Sequence, residues 1–367
     1  MDGVPRFPPA MNILPRVSRK HAAVAAASFV VALSATLPAT AANFTFNGQQ
    51  ANADANHWNA PIWQPGNVAP TAGNTYELLV NPATATRLRT PNGTTGSGGT
   101  GAAGQTFTFP GDSLTLNGAG FTTGATSTEL RFKATFDNTT FNFPGVGGNP
   151  GLILNGGILN VGDDRIMTIS GSVRANPGST SSFNPGGQNT TDIGAARGFL
   201  VTAGLTGSGT LSLDFGHDFG SAAPALQIGS SNPNFSGDWL VNSGWLKGAG
   251  TNSLGTGNIT LNSGIQAGGG STLDLDYDLN LPSKALTLNG TDSKLVVDQA
   301  LTFGTVSING TQLAPGLYTA AQLNTQFDTN IVDGGTGSLR VIPEPSAVLA
   351  AFLGGATILI RRRRMLV

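Results

Sequence analysis

The chain contains no cysteine, so no disulfide staples the fold and neither thiol chemistry nor a Cys-ligated metal is available. Charge is scarce as well, at 11% of 367 residues. Between Asn43 and Pro345 the only lysines are Lys133, Lys247, Lys284 and Lys294, and the only glutamates are Glu77, Glu129 and Glu344. Long surface helices are usually built from such residues, so almost no helix is expected in this region. Its only histidines are His57 and His217, far apart in the chain and without an H-E-x-x-H context. That pattern argues against a zinc site or a Ser-His-Asp triad, and no G-x-S-x-G occurs. The G-x-G-x-x-G match at Gly99–Gly104 lies in a low-complexity Gly/Thr run from Asn92 and opens no helix, so a dinucleotide site is not expected.

What remains is β-branched, apolar and turn-forming, with 52 glycines. This is the mixture of many short strands separated by turns. From Thr272 to Leu281 apolar residues alternate with polar ones, which places Leu273, Leu275, Tyr277, Leu279 and Leu281 on one face. A short module recurs: Leu114-Thr115-Leu116-Asn117-Gly118, Leu152-Ile153-Leu154-Asn155-Gly156, Leu286-Thr287-Leu288-Asn289-Gly290 and Val306-Ser307-Ile308-Asn309-Gly310. Ile259-Thr260-Leu261-Asn262-Ser263-Gly264 is a fifth form with one insertion. Asn262, Asn289 and Asn309 stand 27 and then 20 residues apart, a spacing suited to the coils of a β-solenoid. The Asn-Gly pairs are equally a hairpin signal, so an antiparallel β-sandwich is the rival fold, and Ile158–Val161 could pair back after Asn155-Gly156.

The two ends read as export signals. Arg16, Arg19 and Lys20 precede an apolar run from Ala22 to Leu37 and then the small residues Ala39, Ala41 and Ala42. Residues 1–42 are therefore expected to be a secretory signal peptide that uses the Sec translocon and signal peptidase. At the other end, Pro343-Glu344-Pro345 leads into an apolar stretch ending at Ile360, followed by Arg361, Arg362, Arg363 and Arg364. The 15 residues from Ser346 to Ile360 would make a helix of about 22 Å, short of a bilayer core of roughly 30 Å. The four arginines would hold its C-terminal side in the cytoplasm. This three-part tail, residues 342–367, resembles the PEP-CTERM sorting signal of Gram-negative bacteria. The resemblance implies transient anchoring in the inner membrane and cleavage by an exosortase, then a place at the cell surface or in an exopolysaccharide-rich matrix. Between the two signals there are 11 Lys plus Arg against 19 Asp plus Glu, so the exported part carries a charge of −8 (11 − 19). Such a balance disfavours nucleic acid as a partner.

The region 43–341 has a family likeness of its own. Phe235-Ser236-Gly237, Trp239-Leu240-Val241, Gly244-Trp245-Leu246 and Leu254-Gly255-Thr256-Gly257, preceded by Gly207-Ser208-Gly209-Thr210-Leu211, resemble the autotransporter-associated β-strand repeat. The match is best over residues 205–264 and implies a right-handed parallel β-helix of the passenger type. Trp58 and Trp63 are candidates for its N-terminal cap or for carbohydrate contacts.

The expected role is structural or adhesive and non-catalytic. The alternatives are a carbohydrate-binding adhesin using Trp239 and Trp245, and a polysaccharide-active hydrolase or lyase using Asp163-Asp164. Trp239 and Trp245, six residues apart, would share a face of an unbroken strand. No cofactor is expected beyond a candidate Ca²⁺ site at Asp274, Asp276 and Asp278, whose alternative reading is a solvated outer face.

Overall fold

The computed structural model describes residues 41–48, 57–91, 103–118, 127–134, 136, 138–161, 165–184, 198–214, 224–263, 270–327, 332–333 and 335–342. Ala39, the tail 343–367, Asp163-Asp164, His217 and most of the Asn92–Gly104 run lie outside the described residues. Ala41 and Ala42 are exposed residues immediately before the first strand.

The described chain is nearly all β: 25 strands and one eight-residue helix, Ala320–Phe327. The strands form three parallel ladders. The first joins Asn43–Phe46, Thr75–Leu78, Ser113–Asn117, Leu152–Asn155, the second half of Ile166–Ala175 and Gly204–Gly207. The second joins Thr86–Arg89, Thr128–Phe132, Ile158–Val161, Thr180–Asn184 and Thr210–Asp214. It continues through the start of Trp239–Gly248, Ile259–Leu261 and the ends of Leu279–Leu288 and Ala300–Ile308. The third joins Thr106–Thr108, Thr140–Phe143, the first half of Ile166–Ala175, Gly198–Val201 and Leu226–Ile228. The end of Trp239–Gly248, then Ser271–Leu275, Lys294–Val296 and Val332–Asp333 complete it.

Over most of its length the chain visits these ladders in the same order, first, second, third and first again. Hydrogen-bonded partners are between 20 residues apart, as Trp239 and Ile259, and 42 apart, as Arg87 and Glu129. Among the described residues, antiparallel pairing between strands is confined to the C-terminal end, where Thr311–Gln312 folds back on Ser307–Ile308 and Gly316–Tyr318 pairs with Leu339–Val341. An antiparallel sandwich is therefore the wrong architecture. The same register rules out the hairpin that the rival fold allows after Asn155-Gly156: Leu152–Asn155 and Ile158–Val161 belong to different ladders and each pairs in parallel with strands far away in sequence.

The core follows from the modules. Leu114, Leu116, Leu152, Leu154, Ile259, Leu261, Leu286, Leu288, Val306 and Ile308 are all buried, and each stacks on its counterpart in the next rung. Burial of such columns, at roughly 25 cal/mol per Å² of apolar surface, is the main favourable term available to a chain without disulfides. The five alternating residues from Leu273 to Leu281 are buried as expected. They do not lie on one strand, because the chain bends at Asp276–Asp278 between Ser271–Leu275 and Leu279–Leu288.

Near the N-terminal end the core is aromatic. Trp58 and Trp63 have no exposed surface, and their indoles meet Phe109, Phe141, Phe143, Tyr76 and Phe46 mostly edge to face. Trp63 Nε1 also donates to the Trp58 carbonyl at 3.0 Å. Neither ring has a face left for a sugar, which removes both from the carbohydrate reading.

The glycines of the repeat motif have a steric reason. A Cβ on Gly209 would lie 2.2 Å from the Asn176 carbonyl oxygen, one on Gly237 1.9 Å from that of Gly209, and one on Gly257 1.8 Å from that of Gly237. Three successive turns thus stack backbone on backbone in one column, and only a residue without a side chain fits there.

Candidate functional site

Two outward polar clusters hold most of the chemistry among the described residues. The first is set up by Gly244, whose φ of 96° bends the strand Trp239–Gly248 as it passes from the second ladder to the third. The bend reverses the parity of the strand. Trp239 points inward, buried beside Phe235, with Nε1 donating to the Leu254 carbonyl at 2.8 Å. Trp245 points outward and is half-buried, paired in register with Thr272, which is paired in turn with Lys294. The two tryptophans do not share a face, and Trp239 is a core residue rather than a ligand contact. Trp245 Nε1 has no hydrogen-bond partner among the described residues.

Two positions on from Trp245 is Lys247, whose Nζ lies 3.4 Å from Asp274 Oδ2 and 2.9 Å from Asp276 Oδ1. Burial works against the charged form of Lys247, but Asp276 and Asp274 outweigh it and raise the pKa above the ordinary lysine value. Asp278 accepts the Ala300 N–H at 2.9 Å. The candidate calcium set does not converge: two of its aspartates pair with one ammonium and the third accepts from the backbone. Only Asp274 lies on the strand, since Asp276 and Asp278 belong to the bend. Among the described residues no group of three or more His, Cys, Asp or Glu side chains converges in a way that could hold a metal.

The second cluster is a column on the outer side of the second ladder. Asp214 is buried at 5% exposure, and the hydroxyls of Ser182 and Ser212 both donate to its Oδ2. Asn242 Nδ2 donates to Asp214 Oδ1 at 2.6 Å, Asn262 Nδ2 to Asn242 Oδ1 at 2.7 Å, and Asn289 Nδ2 to Asn262 Oδ1 at 2.9 Å. Every amide therefore donates in the same direction, toward the carboxylate. Charge-assisted bonds of this kind are the stronger ones, and a chain of them polarises each member. The arrangement saturates the carboxylate and holds consecutive turns in register. Asn155 donates to Asn117 in the same way on the first ladder, at 2.8 Å.

His57 is half-buried, which lowers its pKa, and its Nδ1 accepts the Asn59 N–H at 3.2 Å. The column at Asp214 and the Lys247 bridge were both missed from sequence, because neither is a local pattern. Apart from Ser212 and Asp214 on one strand, their partners stand 20 to 32 residues apart and meet through the ladder register.

Comparison of the chain with family models, curated proteins and solved structures returns no match. Among the described residues no helix is long and apolar enough to cross a membrane.

Proposed function

We propose that the protein is an exported, exosortase-processed β-solenoid with a structural or adhesive, non-catalytic role at the cell surface or in an exopolysaccharide-associated matrix. The observation that carries the solenoid is the repeated first–second–third visiting order of three parallel ladders. A chain that returns to the same ladder in parallel each time winds as a helix of strands, and crossovers between parallel strands are right-handed in about 98% of cases. The proposed form is thus a right-handed parallel β-helix. The Asp214–Asn289 column and the glycine column support the reading, since both link successive coils. The passenger-repeat resemblance over residues 205–264 agrees with it.

Export and processing rest on the two terminal signals. Ile342, the last described residue, donates its N–H to the Phe303 carbonyl at 3.0 Å, and Pro343-Glu344-Pro345 follows it in sequence. The test is intact mass and fractionation in the native host, beside a variant with alanine at all three motif positions. Wild type shortened after about Pro345 and found outside the membrane, with the variant whole and membrane-bound, is the expected result. An uncleaved wild-type tail would overturn the exosortase assignment.

A second reading, carbohydrate adhesion, is favoured by Trp245 alone: a half-buried indole on an outer face beside Thr272 and Lys247. Aromatic surface bordered by hydrogen-bonding groups suits a sugar ring. Soluble-glycan binding that falls on Trp245→Ala, with the fold intact, is its expected signature.

A further inference from the structure

Five Asn-Gly pairs lie within the described residues, and the structure treats them unequally. The relevant chemistry is intramolecular. The backbone nitrogen of the glycine attacks the side-chain carbonyl carbon of the preceding asparagine, the bond to the amide nitrogen breaks, and ammonia leaves. Water then opens the resulting succinimide at either carbonyl, giving aspartate or β-linked isoaspartate. The attack requires the glycine N–H to be uncommitted and the asparagine to move.

At three pairs that nitrogen is committed. Gly118 N–H donates to the Asn155 carbonyl at 2.9 Å, Gly156 N–H to Ser181 Oγ at 2.9 Å, and Gly290 N–H to Asn309 Oδ1 at 2.7 Å. The asparagines are held too: Asn155 Nδ2 donates to Asn117 Oδ1, and Asn289 Nδ2 to Asn262 Oδ1. Gly48 N–H has no partner among the described residues, but Gly48 is half-buried against the Phe46 ring.

Asn309-Gly310 differs in its exposure and in its glycine, although Asn309 Oδ1 itself accepts the Gly290 N–H. Both residues are exposed, with φ of 49° and 78°, the positive pair of a type I′ turn. They form the tip of the hairpin in which Ile308 pairs with Thr311, and the returning strand, Thr311–Gln312, is two exposed residues long. Gly310 N–H has no hydrogen-bond partner among the described residues. We infer that Asn309-Gly310 is a site of spontaneous deamidation, the first of these pairs to be converted in the folded protein. An isoaspartate there adds a methylene to the backbone of a two-residue turn and displaces the acceptor of the Gly290 N–H. Gly290 is then freed to attack Asn289, so conversion at 309 precedes and promotes conversion at 289.

The test is peptide mapping by mass spectrometry of the folded full chain during incubation at mildly alkaline pH, with isoaspartate assayed enzymatically. A sample held in denaturant gives the intrinsic rates. Conversion at Asn309 several-fold faster than at Asn117, Asn155 and Asn289 when folded, and comparable at all four when unfolded, is the expected result. Asn309→Ala, which removes the acceptor of the Gly290 N–H, is expected to speed conversion at Asn289. The inference is overturned if Asn309 keeps its amide as long as Asn289 does, or if Asn47 alone converts. It is equally overturned if the folded and unfolded samples show the same ranking.

Discussion

Replacing Asn262 tests whether the amide column holds coils together. Its side chain makes two hydrogen bonds, donating to Asn242 at 2.7 Å and accepting from Asn289 at 2.9 Å. A neutral hydrogen bond contributes about 0.5–1.5 kcal/mol net, so Asn262→Ala should cost roughly 1–3 kcal/mol. The value should sit near the middle of that range, because the column is half-buried and water can reach part of what is left unpaired. Denaturant titration is the assay, with a lower midpoint and an unchanged m-value expected. Asn262→Asp is the sharper probe. A carboxylate still accepts from Asn289 but cannot donate, and it sets an anionic oxygen against Asn242 Oδ1, in a column whose far end is already the Asp214 carboxylate. At neutral pH it should therefore destabilise at least as much as alanine does. An Asn262→Asp variant as stable as wild type would refute the directional column. So would additivity between Asn262→Ala and Asn289→Ala, for which a coupling of about 0.5–1.5 kcal/mol is expected.

Gly237→Ala should abolish or severely impair folding, because the new Cβ meets the Gly209 carbonyl oxygen at 1.9 Å, whereas Gly204→Ala meets nothing within 4 Å and should be close to neutral in a thermal melt. Trp239→Ala should cost about 3–5 kcal/mol as a large core truncation, while Trp245→Ala, which removes a half-buried ring, should lower the melting midpoint clearly less. Lys247→Met should cost about 1 kcal/mol or less, since the shorter of its two ion pairs is to Asp276, half of whose side chain faces solvent and screens the attraction. Because the folded pKa of Lys247 is raised, its contribution is fully present below the unfolded value of 10.5 and is lost as pH climbs through the folded value. The stability gap between wild type and Lys247→Met should accordingly be flat through neutral pH and close only in strong alkali.

The sequence made the strand content, the inward pairs and part of the rung spacing legible, for a definite reason. Each Leu-x-Leu-Asn module puts its two buried residues in alternate positions, so a local pattern carries the core, whereas the amide column emerges only once the ladder register stacks the asparagines. The spacings of 27 and 20 residues from Asn262 to Asn289 to Asn309 are two successive rungs of one ladder. The interval of 38 from Asn117 to Asn155 is likewise one rung, on the first ladder. The longer gap from Asn155 to Asn262 joins two different ladders, which is why no single period describes the chain.

What could not be read was anything decided at a bend. Parity counting puts Trp239 and Trp245 on one face only if the strand between them is unbroken, and Gly244 breaks it by adopting a positive φ. The same failure joined Asp274, Asp276 and Asp278 into one row when the chain turns after the first. The glycines of the repeat motif behave differently. Phe-Ser-Gly and Leu-Gly-x-Gly look like turn punctuation, yet Gly237 and Gly257 are fixed by backbone oxygens of the preceding turn. In such a fold a glycine can be a long-range contact written as a local residue. The positions that resist substitution most should therefore include exposed-looking turns as well as the apolar columns.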